Sequence, residues 1–216
     1  MPPHNLLSLD DIRYRVAAYT SDSSRSENDQ VVVNPHFLAI APLRPAAVLV
    51  PIVVRPDGPT VLFTQRTDHL EHHPGQVSFP GGHVEAADGT PEETALRETE
   101  EEIGLDRCHI EILGRIDTYL TSTGFSVTPI VARVMPPFEL TPDPVEVAEV
   151  FEVPLSFLLD PENHQRETRL FGEQTWYAYA MPYGGYNIWG VTAGMVRNFY
   201  EILAGAPITL ESDSQY

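Results

Sequence analysis

The 216-residue chain contains no lysine, a single cysteine and few positive charges. All 13 of its Lys-or-Arg positions are arginine. The codon preference of a GC-rich genome accounts for that, and the excess of Glu over Asp argues against a salt-adapted host. One cysteine, Cys108, excludes an internal disulfide and fits a reducing compartment, so the cytoplasm is the expected location. The longest apolar run, Ala46–Val54, is about nine residues and is broken by Pro51, whereas a membrane-spanning helix needs roughly 20. No membrane partner is therefore expected. Met1-Pro2-Pro3-His4 lacks the charged and apolar regions of a signal peptide. A net charge of -18 argues against nucleic acid as a partner. An anionic small molecule stays compatible, because a bound cation and a few arginines can invert the local field.

Apolar content is ordinary, and the length suits one domain with a full core. Residues 1–44 read as an N-terminal helix, Leu9–Ala17, followed by a flexible linker rich in Ser, Asp and Asn from Ser21 to Gln30. The main domain, 45–206, opens with a buried strand at Ala46–Val54. The turn Pro56-Asp57-Gly58-Pro59 returns the chain as a second arm, Val61–Gln65. Further strands are expected at Ile110–Ile116, Val127–Val134, Val147–Val153 and Thr175–Ala180, and helices at Leu155–Leu159 and Val191–Leu203. Residues 207–216 form a tail. Strands outnumber helices, which makes the class α+β with a layered, mixed sheet.

The informative segment is Phe79-Pro80-Gly81-Gly82 followed, across an acidic loop, by Arg97 to Leu105 (RETEEEIGL). Thr90 can cap a helix, Pro91 suits its first position, Glu93 completes a capping box and Gly104 stops it. At 100° per residue, Ala95, Leu96, Thr99 and Ile103 share an apolar arc. Glu98, Glu101 and Glu102 occupy a second arc beside it. Arg97 can pair with Glu93 and Glu101 and hold Glu101 in place. A Glu-rich helix is ordinarily a solvated face, and that explains Glu92 and Glu100. It does not explain three carboxylates flush against the apolar stripe next to a glycine turn. Carboxylates this close repel one another unless a cation intervenes, and glycines let the backbone approach a phosphate or offer a carbonyl to a metal.

These residues resemble the signature of the Nudix hydrolases: G, five residues, E, seven residues, then REUXEEXGU with U apolar. The second half matches from Arg97 to Leu105, with Thr99 at the first U. Counting back from Arg97, the signature Glu falls on Gly89 and the signature Gly on His83. The loop is thus one residue longer, and Glu85 or Asp88 stands in for the acid. Leu62-Phe63-Thr64-Gln65-Arg66, followed by Gly75 to Gly82, resembles the extra motif of the coenzyme A pyrophosphatase branch, LLTxR…GxxxFPGG. The branch often carries Arg where this chain has Glu71. Arg44–Leu49, Thr123–Pro129, Glu146–Pro154 and Ile188–Gly194 are similar to that branch as well, so the resemblance spans roughly residues 44 to 204.

The resemblance implies an α/β/α sandwich and metal-dependent hydrolysis of a nucleotide diphosphate. Coenzyme A or its derivatives would yield 3',5'-ADP and 4'-phosphopantetheine. Glu98 and Glu102, one helical turn apart, would hold Mg2+ or Mn2+, with Glu101 as a further ligand and the carbonyl of Gly81 or Gly82 completing the shell. Glu101, Glu85 and Asp88 are the candidates for the base, Arg97 for orienting the acids, and Arg44 and Arg66 for gripping phosphate oxygens. Another dinucleotide such as NADH or ADP-ribose is the alternative substrate, and a non-catalytic nucleotide-binding module the alternative class. A homodimer is compatible with all of these. Phe125 and Trp189 read first as core aromatics, and His72 and His73 as solvated loop residues.

Overall fold

The computed structural model describes residues 8–20, 31–32, 42–70, 73–121, 123–171 and 174–205. The linker Ser21–Gln30, the tail 207–216, Glu71 and His72 lie outside the described residues. The chain runs α1 (Leu9–Thr20), β1 (Val31–Val32), β2 (Arg44–Val53), β3 (Thr60–Arg66), β4 (Val77–Ser78), β5 (Gly81–His83) and α2 (Pro91–Ile103). It continues through β6 (Ile110–Arg115), β7 (Thr118–Leu120), β8 (Phe125–Val134), β9 (Val147–Pro154) and α3 (Leu155–Leu158). A second sheet, β10 (Gln165–Phe171), β11 (Gln174–Tyr183) and β12 (Tyr186–Trp189), leads into α4 (Gly190–Ala204).

Every strand and helix expected from periodicity is present. The short strands β1, β4, β5, β7 and β12 were not foreseen, because two to four residues carry too little alternation to register, and neither was the longer β10. The main sheet is mixed: β2 pairs parallel with β8 from Arg44↔Phe125 to Val53↔Val134 and antiparallel with β3 and β5. From Ala46 onward β2 is apolar because both of its faces are covered. Ala47 and Leu49 pack with Ala95 of α2. Ala46, Val50 and Ile52 pack on the other side with residues of α1 and α4. This is the layered α+β sandwich expected.

Helix α1 belongs to that second layer. Ile12 and Val16 are fully buried in the same cluster as Val131 and Leu203, and each such side chain contributes about 1.5–3 kcal/mol. Arg15 donates to the carbonyl of Leu203 near the end of α4. Tyr19 Oη donates to the buried Asp117 at 2.7 Å, which also accepts from Asn198 at 2.9 Å, joining α1, α4 and the β6–β7 connection. Among the described residues, no helix is long and apolar enough to cross a membrane.

Candidate active site

Helix α2 begins as its sequence dictates. Thr90 accepts from the Glu93 N–H at 3.3 Å and Pro91 opens the helix. Glu93, however, turns to the N–H of Gly89 at 2.5 Å, and no pair with Arg97 forms. At the other end Gly104 takes a left-handed φ of 68° and donates to Glu100 O. The two carbonyls before it stay in use: Thr141 N–H donates to Ile103 O (2.8 Å) and Asp143 N–H to Glu102 O (2.9 Å). Those bonds satisfy helix-end acceptors and pin the loop that carries Glu146 beside α2.

The Gly81-Gly82 segment is an edge strand and not the turn expected. Gly81, Gly82 and His83 pair with Val48, Ala47 and Ala46. Leu49 N–H to Pro80 O and Val84 N–H to Pro45 O flank that pairing, so the antiparallel alternation directs Gly82 at β2 and leaves the polar groups of Gly81 and His83 facing outward. Side chains of α2 take them: Gly81 N–H donates to Glu102 at 3.1 Å, and Arg97 donates to His83 O at 2.9 Å. Close approach explains both glycines. A Cβ on Gly81 would lie 2.4 Å from Ala47 O, and one on Gly82 would lie 2.5 Å from the Glu98 carboxylate. The backbone is thus close to β2 and to Glu98, and the carbonyl of Gly81, rather than that of Gly82, is the one left outside the ladder.

Glu102, expected beside the apolar arc of α2, lies within its buried face and is 6 % exposed. Burial pushes its carboxyl up to about 8, opposed by the Gly81 N–H and by Arg66, whose guanidinium is 3.9 Å away, and reinforced by Glu146 and Glu98. Glu98 is raised as well, by burial first and then by the charges of Glu101 and Glu146, against the pull of Arg97 at 3.0 Å. The buried Glu102, the half-buried Glu98 and the exposed Glu146 therefore confront one another, with no full cation between Glu98 and Glu102. Among the described residues no three His, Cys, Asp or Glu side chains come together in a group that could hold a metal ion by itself. The all-oxygen donors and their mutual repulsion still suit a hard divalent cation, which would relieve the strain that raises them.

Arg97 is the hub of the loop. It grips Asp88 through Nε (3.1 Å) and Nη2 (2.9 Å), reaches Glu101 at 2.9 Å and comes within 4.0 Å of Glu85. The Asp88 side chain is 5 % exposed and also accepts from Thr94 Oγ1 and the Glu85 N–H. The Arg97 fork, then the Glu85 amide, hold its carboxyl well below the usual range. Glu85 and Glu101 are exposed, at 64 % and 59 %. Asp88 is thus the acid bonded into the loop; counted forward from Gly82 it stands at the signature spacing, and the extra residue falls after it. Glu146 went unassigned at the sequence level, since nothing local distinguishes it from other acids.

Arg66 ends β3 where the pairing with β9 shifts register, and its buried Nε has no hydrogen-bond partner. Arg44 opens β2 on the other face, with Cζ 4.1 Å from the Phe125 centroid. His83 stacks on the same ring at 4.8 Å. Phe125 is half-buried and packs against the main core cluster, as expected, whereas Trp189 is 36 % exposed and is not the core aromatic expected. His73 is an exposed residue with a φ of 56° whose Nδ1 is 3.0 Å from Gln76 Oε1.

A family model described as the NUDIX domain matches residues 43–176. A Yersinia enterocolitica protein bearing the name uncharacterized Nudix hydrolase NudL is 41% identical over 152 residues, covering 70% of this chain and 77% of that protein. A Yersinia pestis protein of the same name is 39% identical over 171 residues, covering 79% and 84%. A solved C. elegans Ap4A hydrolase is 22% identical with a TM-score of 0.45, covering 51% of this chain and 80% of its own.

Proposed function

The chain belongs to the Nudix family and is a Nudix pyrophosphohydrolase, and from that premise we propose that its substrate is coenzyme A or a derivative, cleaved at the pyrophosphate bond to 3',5'-ADP and 4'-phosphopantetheine in the cytoplasm. The observation that carries the reading is the confrontation of Glu98, Glu102 and Glu146 beside the outward carbonyl of Gly81. The motif Leu62 to Gly82 supports the choice of coenzyme A.

Glu98 and Glu102 hold the divalent cation, Mg2+ or Mn2+, and Gly81 O and Glu146 stand next to them. When bound, that cation supplies neutralisation of diphosphate charge and activation of water. Arg66, with a donor unengaged at the same spot, binds a phosphate oxygen and orients the bond to be broken. Glu101 and Glu85 have their carboxylates at Arg97, while that of Glu146 is unengaged among the described residues. The proton of the attacking water therefore goes to Glu146, with Glu101 the alternative acceptor. Arg97 and Asp88 act by holding the loop, His83 O and Glu98 in one arrangement.

The purified protein is to be incubated with coenzyme A, NADH and ADP-ribose in Mg2+ or Mn2+ and the products separated chromatographically. Release of 3',5'-ADP from coenzyme A is expected, with at least about a 100-fold loss in Glu102→Gln. Brisk cleavage of NADH or ADP-ribose with coenzyme A untouched would overturn the substrate, and wild-type rates in Glu102→Gln would overturn the metal site.

A further inference from the structure

Arg44 stands apart from the other arginines. The chain has 31 acidic residues against 13 arginines. Arg55, Arg97, Arg107, Arg115, Arg133 and Arg197 each reach a carboxylate within 3.0 Å. Arg44 has no carboxylate partner among the described residues. Its guanidinium is exposed and lies against the ring of Phe125. His83, also exposed, lies against the same ring with 29° between planes.

The mount of this cluster is rigid. Phe125 N–H donates to Thr121 Oγ1 (3.0 Å), Thr121 N–H donates back to Phe125 O (2.9 Å), and Arg44 N–H donates to Gly124 O (2.9 Å). Register places the three side chains on one face at the end of the sheet: Arg44 is opposite Phe125, and His83 is opposite Ala46. The neighbouring residue Gly82 faces the other side, against Glu98. Adjacent residues of one extended strand thus serve the carboxylate cleft and the stacked cluster. An exposed planar cation and an exposed imidazole, laid on a half-buried aromatic ring, have the chemistry that stacks on a nucleobase. A nucleotide diphosphate carries its base at one end and its phosphates at the other, which matches the two sides of the Gly82-His83 step.

We propose that Arg44, Phe125 and His83 form the platform on which the planar base of the nucleotide substrate stacks. The proposal rests on the reading that this site takes a nucleotide diphosphate, and it is independent of which dinucleotide is cleaved, since coenzyme A, NADH and ADP-ribose all contain an adenosine phosphate.

The probes are AMP and ribose 5-phosphate, which share the phosphate and differ in the base. Their affinities for the full chain are measured by calorimetry, and saturation transfer from aromatic protein protons to adenine H2 and H8 is recorded by NMR. Transfer is expected in the wild type. Phe125→Leu and His83→Ala are expected to weaken AMP about 5-fold to 100-fold and to leave ribose 5-phosphate unchanged, with Phe125→Tyr close to wild type. His83→Ala changes an exposed side chain, so the test stands if Phe125→Leu fails to fold. Equal losses for both probes, or no loss of AMP in either variant, would overturn the platform. Failure to cleave coenzyme A together with the AMP-selective pattern would sink the substrate reading and leave the platform standing.

Discussion

Replacing Glu102 by Gln should stabilise the metal-free protein while abolishing its activity. The folded carboxyl is pushed up to about 8 from an ordinary 4.5, so the folded chain holds this proton more tightly than the unfolded chain does. Below the unfolded value the site costs nothing. Stability then falls as pH rises through the window from 4.5 to about 8, because the folded state must either keep a proton the unfolded state has released or bury a charge. Each unit of that gap is worth about 1.4 kcal/mol, and Glu102 is too buried for solvent to screen it. Gln keeps the shape and can still accept from the Gly81 N–H, but it never ionises. The variant should therefore exceed the wild type by about 3–4 kcal/mol at pH 8 and by less than about 1 kcal/mol at pH 5. At about 2–4 °C per kcal/mol for a chain of this size, Tm should rise by about 6–15 °C at pH 8. The assay is thermal unfolding followed by circular dichroism after exhaustive EDTA dialysis, repeated at both pH values. Adding Mn2+ should raise the wild-type Tm, since ligand binding to the folded state adds stability by mass action, and should move the variant far less. A variant no more stable than wild type at pH 8, or an advantage that does not shrink at pH 5, would refute the reasoning.

Gly81→Ala should cost at least about 2–3 kcal/mol in denaturant melts, because its Cβ meets the β2 backbone, which cannot yield. Gly82→Ala meets only the Glu98 carboxylate, so it should fold and lose about 10-fold to 100-fold in kcat; equal stability losses in the two variants would contradict this contrast. Asp88→Asn should loosen the loop, seen as faster amide exchange of residues 84–89, and lower kcat about tenfold by releasing Arg97. In wild type that contact should weaken only as pH falls below the normal carboxylate range, since the folded carboxyl is held low. Glu146→Gln should reduce kcat about 10-fold to 100-fold with little change in Tm, the residue being exposed; unchanged turnover would move the base to Glu101.

Legibility followed the range of the interaction. The Thr90 cap of α2, its stop at Gly104 and the long strands β2, β3 and β8 are set by neighbours a few residues apart, and they stand where the sequence pattern placed them, whereas Glu93 bonds Gly89 in place of closing a capping box. Glu102, expected at the margin of the apolar arc, is buried more deeply than that for a definite reason. A helical wheel sorts residues by type, and Glu sorts as polar, whereas the packing of β5 against α2 encloses that position regardless of its chemistry. Asp88 was one of two readings of the loop until its bonds to Arg97, Thr94 and the Glu85 amide singled it out.

Chain-local chemistry alone established an acidic helix behind a glycine pair, its cap and its stop, and the layered α+β class, because each depends on periodicity or on contacts within about one helical turn. Tertiary structure decided the rest. Gly81-Gly82 became an edge strand whose free groups are claimed by Glu102 and Arg97. Glu146 arrived from a loop more than 40 residues along the chain, carried there by bonds to the last carbonyls of α2. Arg44, Phe125 and His83 came together because three strands share one register. Burial and charge repulsion are properties of such an assembled neighbourhood, and no single segment of the chain contains them.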